Sequence, residues 1–304
     1  MRIIVNGENL SYSLENESNL GQVLDGLKEW LKNSSFVMTA ARVDDRDLDL
    51  ASDESFARVS LDGVEELSVT ARPLVEMDYE HLEAIREFFR LTRAGIEAGN
   101  AGAVKDVLKS YPTIRENIGW ILERHGISSE AASPQRLDEL FVASGLVETG
   151  TVDGAQRSAL LDVVSVLDFE LGVRMREISD PRAELKRATE DLSASIEELS
   201  EVSIMLQTGR DADAMQAILR FTELSSKLVR LYPLLRFGGH TDFATIRVDN
   251  VSFSDFYVEF NGVLSDLVDA FTASDTVLIG DLLEYEVAPR LEKLRAYVHL
   301  LANG

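Results

Sequence analysis

The sequence predicts an α+β protein: a small head of short strands around one helix, followed by a mainly α-helical body built as an antiparallel bundle. Three observations carry this expectation. Apolar residues alternate with polar ones before about residue 75, whereas after Met77 they recur every three or four residues. Asn6-Gly7 lies between two strand-like runs and is a strong hairpin signal, because both central residues of that turn need positive φ. From Asp153 onward, long apolar-striped segments are separated by short breaks, so consecutive helices must fold back on one another. The expected domains are a head over residues 1–75, a helical connecting region over 78–145 and the bundle over 152–304.

In the head, Ile3-Ile4-Val5 reads as a first strand, and Leu10, Tyr12 and Leu14 alternate as a second. Ser18 or Asn19 can cap a helix whose apolar face is Leu20, Val23, Leu24, Leu27, Trp30 and Leu31. Trp30 is expected in the core. Phe36 to Val43 is a third strand, Asp44 to Asp47 a polar turn, Leu48 to Leu50 a short strand, and Leu67 to Ala71 the last, ended by Pro73. Asp45-x-Asp47-x-Asp49 matches the start of a calcium loop. Leu50 replaces its turn glycine and Phe56 its bidentate glutamate, so the reading is a solvated turn.

The order β-β-α-β-β-β resembles the β-grasp, or ubiquitin-like, fold. The opening Met1-Arg2-Ile3-Ile4-Val5-Asn6-Gly7-Glu8, with Leu10, Leu14 and the helix from Asn19 to Leu31, is similar to small bacterial sulfur-carrier proteins of thiamine biosynthesis. The resemblance implies the fold alone. A carrier ends in a free Gly-Gly, whereas this head runs through Ala71-Arg72-Pro73-Leu74 into the body, and the chain closes on Asn303-Gly304. By analogy with β-grasp heads elsewhere, it implies a docking module.

In the body, Tyr79 to Glu97 is helical and ends at Gly99; Val104 to Leu108 and Ile114 to Leu122 carry further faces. Ser133-Pro134 is a helix start. Gly145 to Gly154 reads as a linker. Further helices are expected from Asp153 to about Ile178, Asp180-Pro181 to Gln207, Asp211 to Phe237, Ser252 or Ser254 to Ala273, and Asp275 to the C-terminal region. An irregular crossover precedes Asn250, with Ile246-Arg247-Val248 as a possible strand. Pro289 should kink the last helix beside Asp281, Glu284 and Glu286. Leu206 to Asp211 matches Ala270 to Asp275, 64 residues on, with Ala98 to Ala101 as a degenerate copy; in this pattern an Asp caps the second helix of each hairpin. The stretches 206–235 and 253–300 resemble an uncharacterised helical-bundle family of bacteria.

The chain has 304 residues, 45% of them hydrophobic, enough to bury a substantial core. Its 53 acidic and 30 basic residues give a net charge of −23, spread along the chain. Such a surface repels phosphate backbones and anionic lipid, so nucleic-acid partners are not expected. No run is long enough to insert into a membrane, and the N-terminus lacks a signal-peptide layout. A cytoplasmic location is therefore expected. There are no cysteines, which removes disulfides and thiolate chemistry. His81, His125, His240 and His299 are dispersed, with no Glu-x-x-His, and Gly238-Gly239-His240-Thr241 lacks the strand and Lys-Ser/Thr of a phosphate loop. No catalytic, cofactor-binding or metal-binding residues are assigned.

Phe253, Phe256, Tyr257 and Phe260 form one helical stripe. Such a stripe is ordinarily core, and otherwise a groove for an amphipathic segment. The sequence therefore points to a non-catalytic cytoplasmic interaction protein: an adaptor, scaffold or secretion or assembly chaperone. It would bind a protein partner with basic or amphipathic segments through the body and the head, with those four aromatic residues as contact. The alternative is a metal-dependent enzyme with a carboxylate site between head and body.

Overall fold

In a computed structural model, residues 1–11, 17–44, 46–50, 56, 59–127, 133–237, 245–273 and 275–303 are described. Tyr12, Leu14, Asp45 and Gly238 to Thr241 lie outside them. The chain is α+β, with a small mixed sheet followed by helices. It divides into two compact units, residues 1–175 and 176–304.

The first unit opens with β1 (Arg2–Val5) and β2 (Glu8–Asn9). Asn6 and Gly7 between them have φ of 51° and 86°, as the hairpin required. Asn6 also exchanges two hydrogen bonds with the Ala71 backbone, both 2.9 Å, so the turn is fastened to the sheet. Helix α1 (Leu20–Asn33) begins at Asn19, whose side chain accepts from the Gln22 N–H. Then come β3 (Phe36–Val43), β4 (Arg46–Asp47) and β5 (Glu66–Pro73). The fourth strand is thus Arg46–Asp47; Leu48 to Leu50, expected as strand, pairs with nothing as a ladder. The sheet order is β2-β1-β5-β3-β4, with β1 and β5 parallel at its centre.

Leu20, Val23, Leu24, Leu27 and Leu31 of α1 pack with Ile3, Met38, Ala41, Leu67, Val69 and Ala71 of the sheet. Trp30 does not join them and is 44% exposed, which corrects the sequence reading. At 100° per residue it stands about 80° from the line of Leu20, Leu27 and Leu31, beyond the edge of the stripe.

The unit continues with α2 (Leu74–Glu97), α3 (Ala101–Leu108), α4 (Tyr111–Arg124), α5 (Pro134–Asp138) running into a π-turn at Glu139–Ala143, α6 (Leu146–Thr149) and α7 (Gly154–Ser179). Tyr111 stands edge-on to Phe141 at 4.8 Å, and its hydroxyl donates to Asp138 at 2.9 Å. Burial, then that bond, pushes the phenol well above its ordinary range. The segment read as a linker is packed: Leu146 is fully buried, and a Cβ on Gly150 would lie 2.0 Å from the Ala101 carbonyl oxygen. Glycine is needed there for close approach as well as for its φ of +69°.

The second unit takes in the end of α7, then α8 (Pro181–Gln207), α9 (Asp211–Phe237), the ribbon β6 (Arg247–Val248) and β7 (Val251–Ser252), α10 (Phe253–Thr272), α11 (Thr276–Asp281), a π-helical stretch Leu282–Val287 and α12 (Ala288–Asn303). Asp180 and Ser252 cap α8 and α10 as expected. Helix α8 packs on both α9 and α12. The π-stretch lies directly before Pro289. A widened turn accommodates the ring against the preceding carbonyls, so the helical path continues through the proline.

The repeated hairpin turns share one closure. The N–H of Arg210 reaches the Met205 carbonyl at 2.8 Å across Gly209, whose φ is +74°. Asp275 reaches Ala270 at 3.1 Å, and Asn100 reaches Gly95 at 2.9 Å. The structural offset between the later two is therefore 65 (Met205 to Ala270), one more than the sequence match. Asn100 and Asp275 cap the helices that follow, but Arg210 holds the equivalent place in the other copy, and Asp211 is already inside α9.

Two buried carboxylates flank the bend at Asp180-Pro181. Glu177 receives both guanidinium arms of Arg230, at 2.9 and 3.0 Å. Glu184 meets Lys227 at 2.8 Å, with Arg187 and Arg176 beside it. Burial raises the Glu184 pKa, but the bond from Lys227 and the three positive charges outweigh it and hold the carboxyl below its ordinary value.

Leu27→Ala should therefore cost about 2–5 kcal/mol, while Trp30→Ala should cost less than about 1 kcal/mol; chemical denaturation of both variants checks this. For Glu184, a depressed folded pKa means that its contribution is fully present above the unfolded value of 4.5 and is lost as pH falls through the folded value. Glu184→Gln should thus be less stable than wild type at pH 7, with the gap closing in denaturant titrations as pH falls below 4.5 and through the depressed folded value.

Candidate functional site

In the second unit, α9 and α10 leave a cleft of about 500 Å³ counted to its open mouth. Ser225, Leu228, Val229 and Tyr232 of α9 form one wall; Phe253, Phe256, Tyr257, Phe260, Asn261 and Leu264 of α10 form the other. Leu294, Val298 and Leu301 of α12, all buried, supply the floor. Most of that volume is open to solvent; the space enclosed is about 30 Å³, room for about one water, so an occupant seats on the cleft more than inside it.

The four stripe residues named from sequence all meet here, and they divide in role. Phe253, Phe256 and Phe260 are buried members of the bundle core. Tyr257 is half-buried and stacks on Tyr232, with centroids 4.3 Å apart and planes within 9°. The aromatic stripe is thus core on one side and cleft wall on the other. Leu228, Val229 and Tyr232 supply the facing wall. Their spacing of 1 and 3 was present in the sequence, but which face of α9 stays uncovered is set by packing.

Two polar features mark the α9 wall. The Ser225 hydroxyl is buried and has no hydrogen-bond partner. Other hydroxyls in these helices bond back to the carbonyl four residues earlier: Thr189 to Leu185, Thr222 to Ile218, Thr272 to Val268. Ser225 makes no such bond to Phe221. Two turns on, Pro233 stands inside α9. It has no N–H to give to the Val229 carbonyl, which loses its ordinary helical donor at the cleft rim.

Acid–base and metal candidates do not converge. His81 and His299 are exposed, and among the described residues no three His, Asp or Glu side chains are grouped to hold a metal ion. Glu286, near the Pro289 site, pairs with Arg290, which also reaches Glu259 at 2.9 Å. No helix of the described residues is long and apolar enough to cross a membrane.

The two roles within the stripe predict different phenotypes. Phe256→Ala should lower the stability of the bundle by about 3–5 kcal/mol. Tyr257→Ser should lose mainly its stack, about 0.5–1.5 kcal/mol. Urea unfolding followed by Tyr fluorescence and far-UV circular dichroism measures both.

Comparison with known proteins falls along the same divisions. Residues 1–73 match the family described as the TP0873 N-terminal domain. Residues 184–297, from the buried Glu184 through both cleft walls, match a domain of unknown function (DUF8042). An uncharacterised protein of Treponema pallidum (strain Nichols) is 27% identical over 157 residues, 49% of this chain and 76% of that protein. No solved structure matches the chain.

Proposed function

We propose that this protein is a non-catalytic cytoplasmic interaction protein, an adaptor, scaffold or assembly chaperone, that holds a polypeptide segment in the cleft between α9 and α10. The observation that carries the reading is the cleft itself: open, walled by aromatic and aliphatic side chains, and rigidly backed by the bundle core. Grooves between helices take the apolar face of a partner segment, and aromatic anchors carry most of the energy of such contacts. The acidity of the chain favours a partner with basic segments.

The head is read as a β-grasp module. The order β2-β1-β5-β3-β4, the central parallel pair β1 and β5, and a single helix packed on one face support that assignment. Its role is a second docking surface.

A photo-crosslinking residue at Val229, on the cleft rim, should form polypeptide adducts in the native cell, and Tyr257→Ser in the same chain should reduce them. The same residue at Glu190, exposed elsewhere on α8, serves as control. Adducts of equal yield at both positions, or none at Val229, would overturn the reading.

A further inference from the structure

We infer that the occupant of the cleft is one amphipathic helical segment of a partner, with an uncharged stripe about two turns long, basic side chains flanking it, and one polar group placed on Ser225. The inference rests on the polypeptide-binding reading above and specifies its partner.

Length comes first. Ser225 to Tyr232 on α9 and Tyr257 to Leu264 on α10 are each seven steps from end to end, roughly 10 Å at 1.5 Å per residue. Anchors at i, i+3 or i+4, and i+7 of a bound helix cover the same distance.

Charge fixes the stripe and its flanks. At 100° per residue, Asp255, Glu259, Asp266 and Asp269 stand roughly 120–200° around α10 from Tyr257. The exposed residues beside the cleft line are instead Val258, Ser265 and Val268, and the two valines are 72% and 62% exposed. On α9 the corresponding exposed positions are Thr222, Ser226, Val229 and Pro233. Among the described side chains, a chain carrying −23 thus keeps a neutral strip along both lips of its cleft. Charges placed there would be desolvated at a cost on binding, so a neutral lip matches a neutral stripe. Beyond the lips, the unpaired charge on α10 is negative. On the described side chains of α9, Arg220, Lys227 and Arg230 are committed to Glu198, Glu184 and Glu177. Asp266 and Asp269 enter no ion pair among the described residues. Basic flanks complement that field.

The polar mark is Ser225. An unsatisfied buried hydroxyl is a standing cost that an occupant can remove by supplying one donor or acceptor. The rim carbonyl of Val229, deprived of its helical donor by Pro233, offers an acceptor to a flanking Lys or Arg.

The test uses the intact protein and three fluorescent synthetic helices. One has a two-turn leucine stripe with lysine flanks, one the same stripe with glutamate flanks, and one the lysine version with the stripe scrambled. Anisotropy should show the lysine-flanked helix binding at least tenfold more tightly than either other, with its advantage over the glutamate version shrinking between 50 and 500 mM salt (about 14 to 4 Å of screening length). Val229→Glu should weaken it at least tenfold without shifting the thermal midpoint, because Val229 is 41% exposed. Ser225→Ala should raise the midpoint of the free chain yet weaken peptide binding threefold or more. Equal binding of the lysine and glutamate helices overturns the charge assignment while polypeptide binding stands. Unchanged affinity in Ser225→Ala leaves the hydroxyl with water only and overturns its role. If none of the helices binds although Val229 still crosslinks polypeptide in cells, the amphipathic-helix class is wrong. A dimer on sedimentation that Val229→Glu abolishes would place a second copy of the chain in the cleft and overturn the proposal.

Discussion

Two carboxylates buried beside the Asp180-Pro181 bend set the register of the second unit. A buried carboxylate without partners costs several kcal/mol, and Glu177 and Glu184 are met from α9 by Arg230 and Lys227. These cations are three residues apart, so one face of α9 is committed to the junction of α7 and α8. Leu228, Ser225 and Tyr232 lie about 180° around the same helix. The ion pairs that fix one side of α9 thereby decide which side is left to wall the cleft. Removing one partner of such a pair leaves an uncompensated charge, so the clasp confers register more than net stability.

The turns serve the same end by another route. Each hairpin closes with an N–H five residues on reaching back to the last helical carbonyls, at Gly95, Met205 and Ala270. That closure spends few residues, which keeps successive helices adjacent and their apolar stripes facing inward. The prolines are handled in different ways. Pro289 follows a π-helical stretch that absorbs it. Pro233 sits in α9 and withholds the helical donor of the Val229 carbonyl. Both are departures from a plain helix in the unit that carries the candidate site, where such departures often have a functional use.

On the proposed reading, the acidic surface and the apolar cleft are complementary devices. The charge would keep copies of the chain apart and would speed encounter with a basic client. The neutral lips and aromatic wall would supply affinity once contact is made. In the first unit, the exposed Trp30 on α1 and Trp120 beside Arg124, 5.4 Å from the guanidinium, show that its aromatic residues are not all spent on the core.

Most of the helices, the hairpin at Asn6-Gly7, the caps at Asn19, Asp180, Ser252 and Asp275, and the position of the long bundle helices were legible in the sequence. Each depends on residues near one another in the chain: a φ that only certain residues adopt, a side chain that reaches an N–H three residues on, a stripe of fixed period. Trp30 was misplaced because periodicity locates the centre of a stripe more sharply than its edge. The linker at 145–154 was misread because glycine serves close packing as readily as flexibility, and only Ala101 opposite Gly150 distinguishes the two. The aromatic stripe of α10 was visible in the sequence, and its double role as core and cleft wall was not. That role depends on how closely α9 approaches, and long-range contacts such as Arg230 with Glu177 decide it. Sequence alone thus determined the elements and the charge of this protein. Tertiary structure decided which faces stayed uncovered, because exposure is a property of what packs against a helix and not of the helix itself.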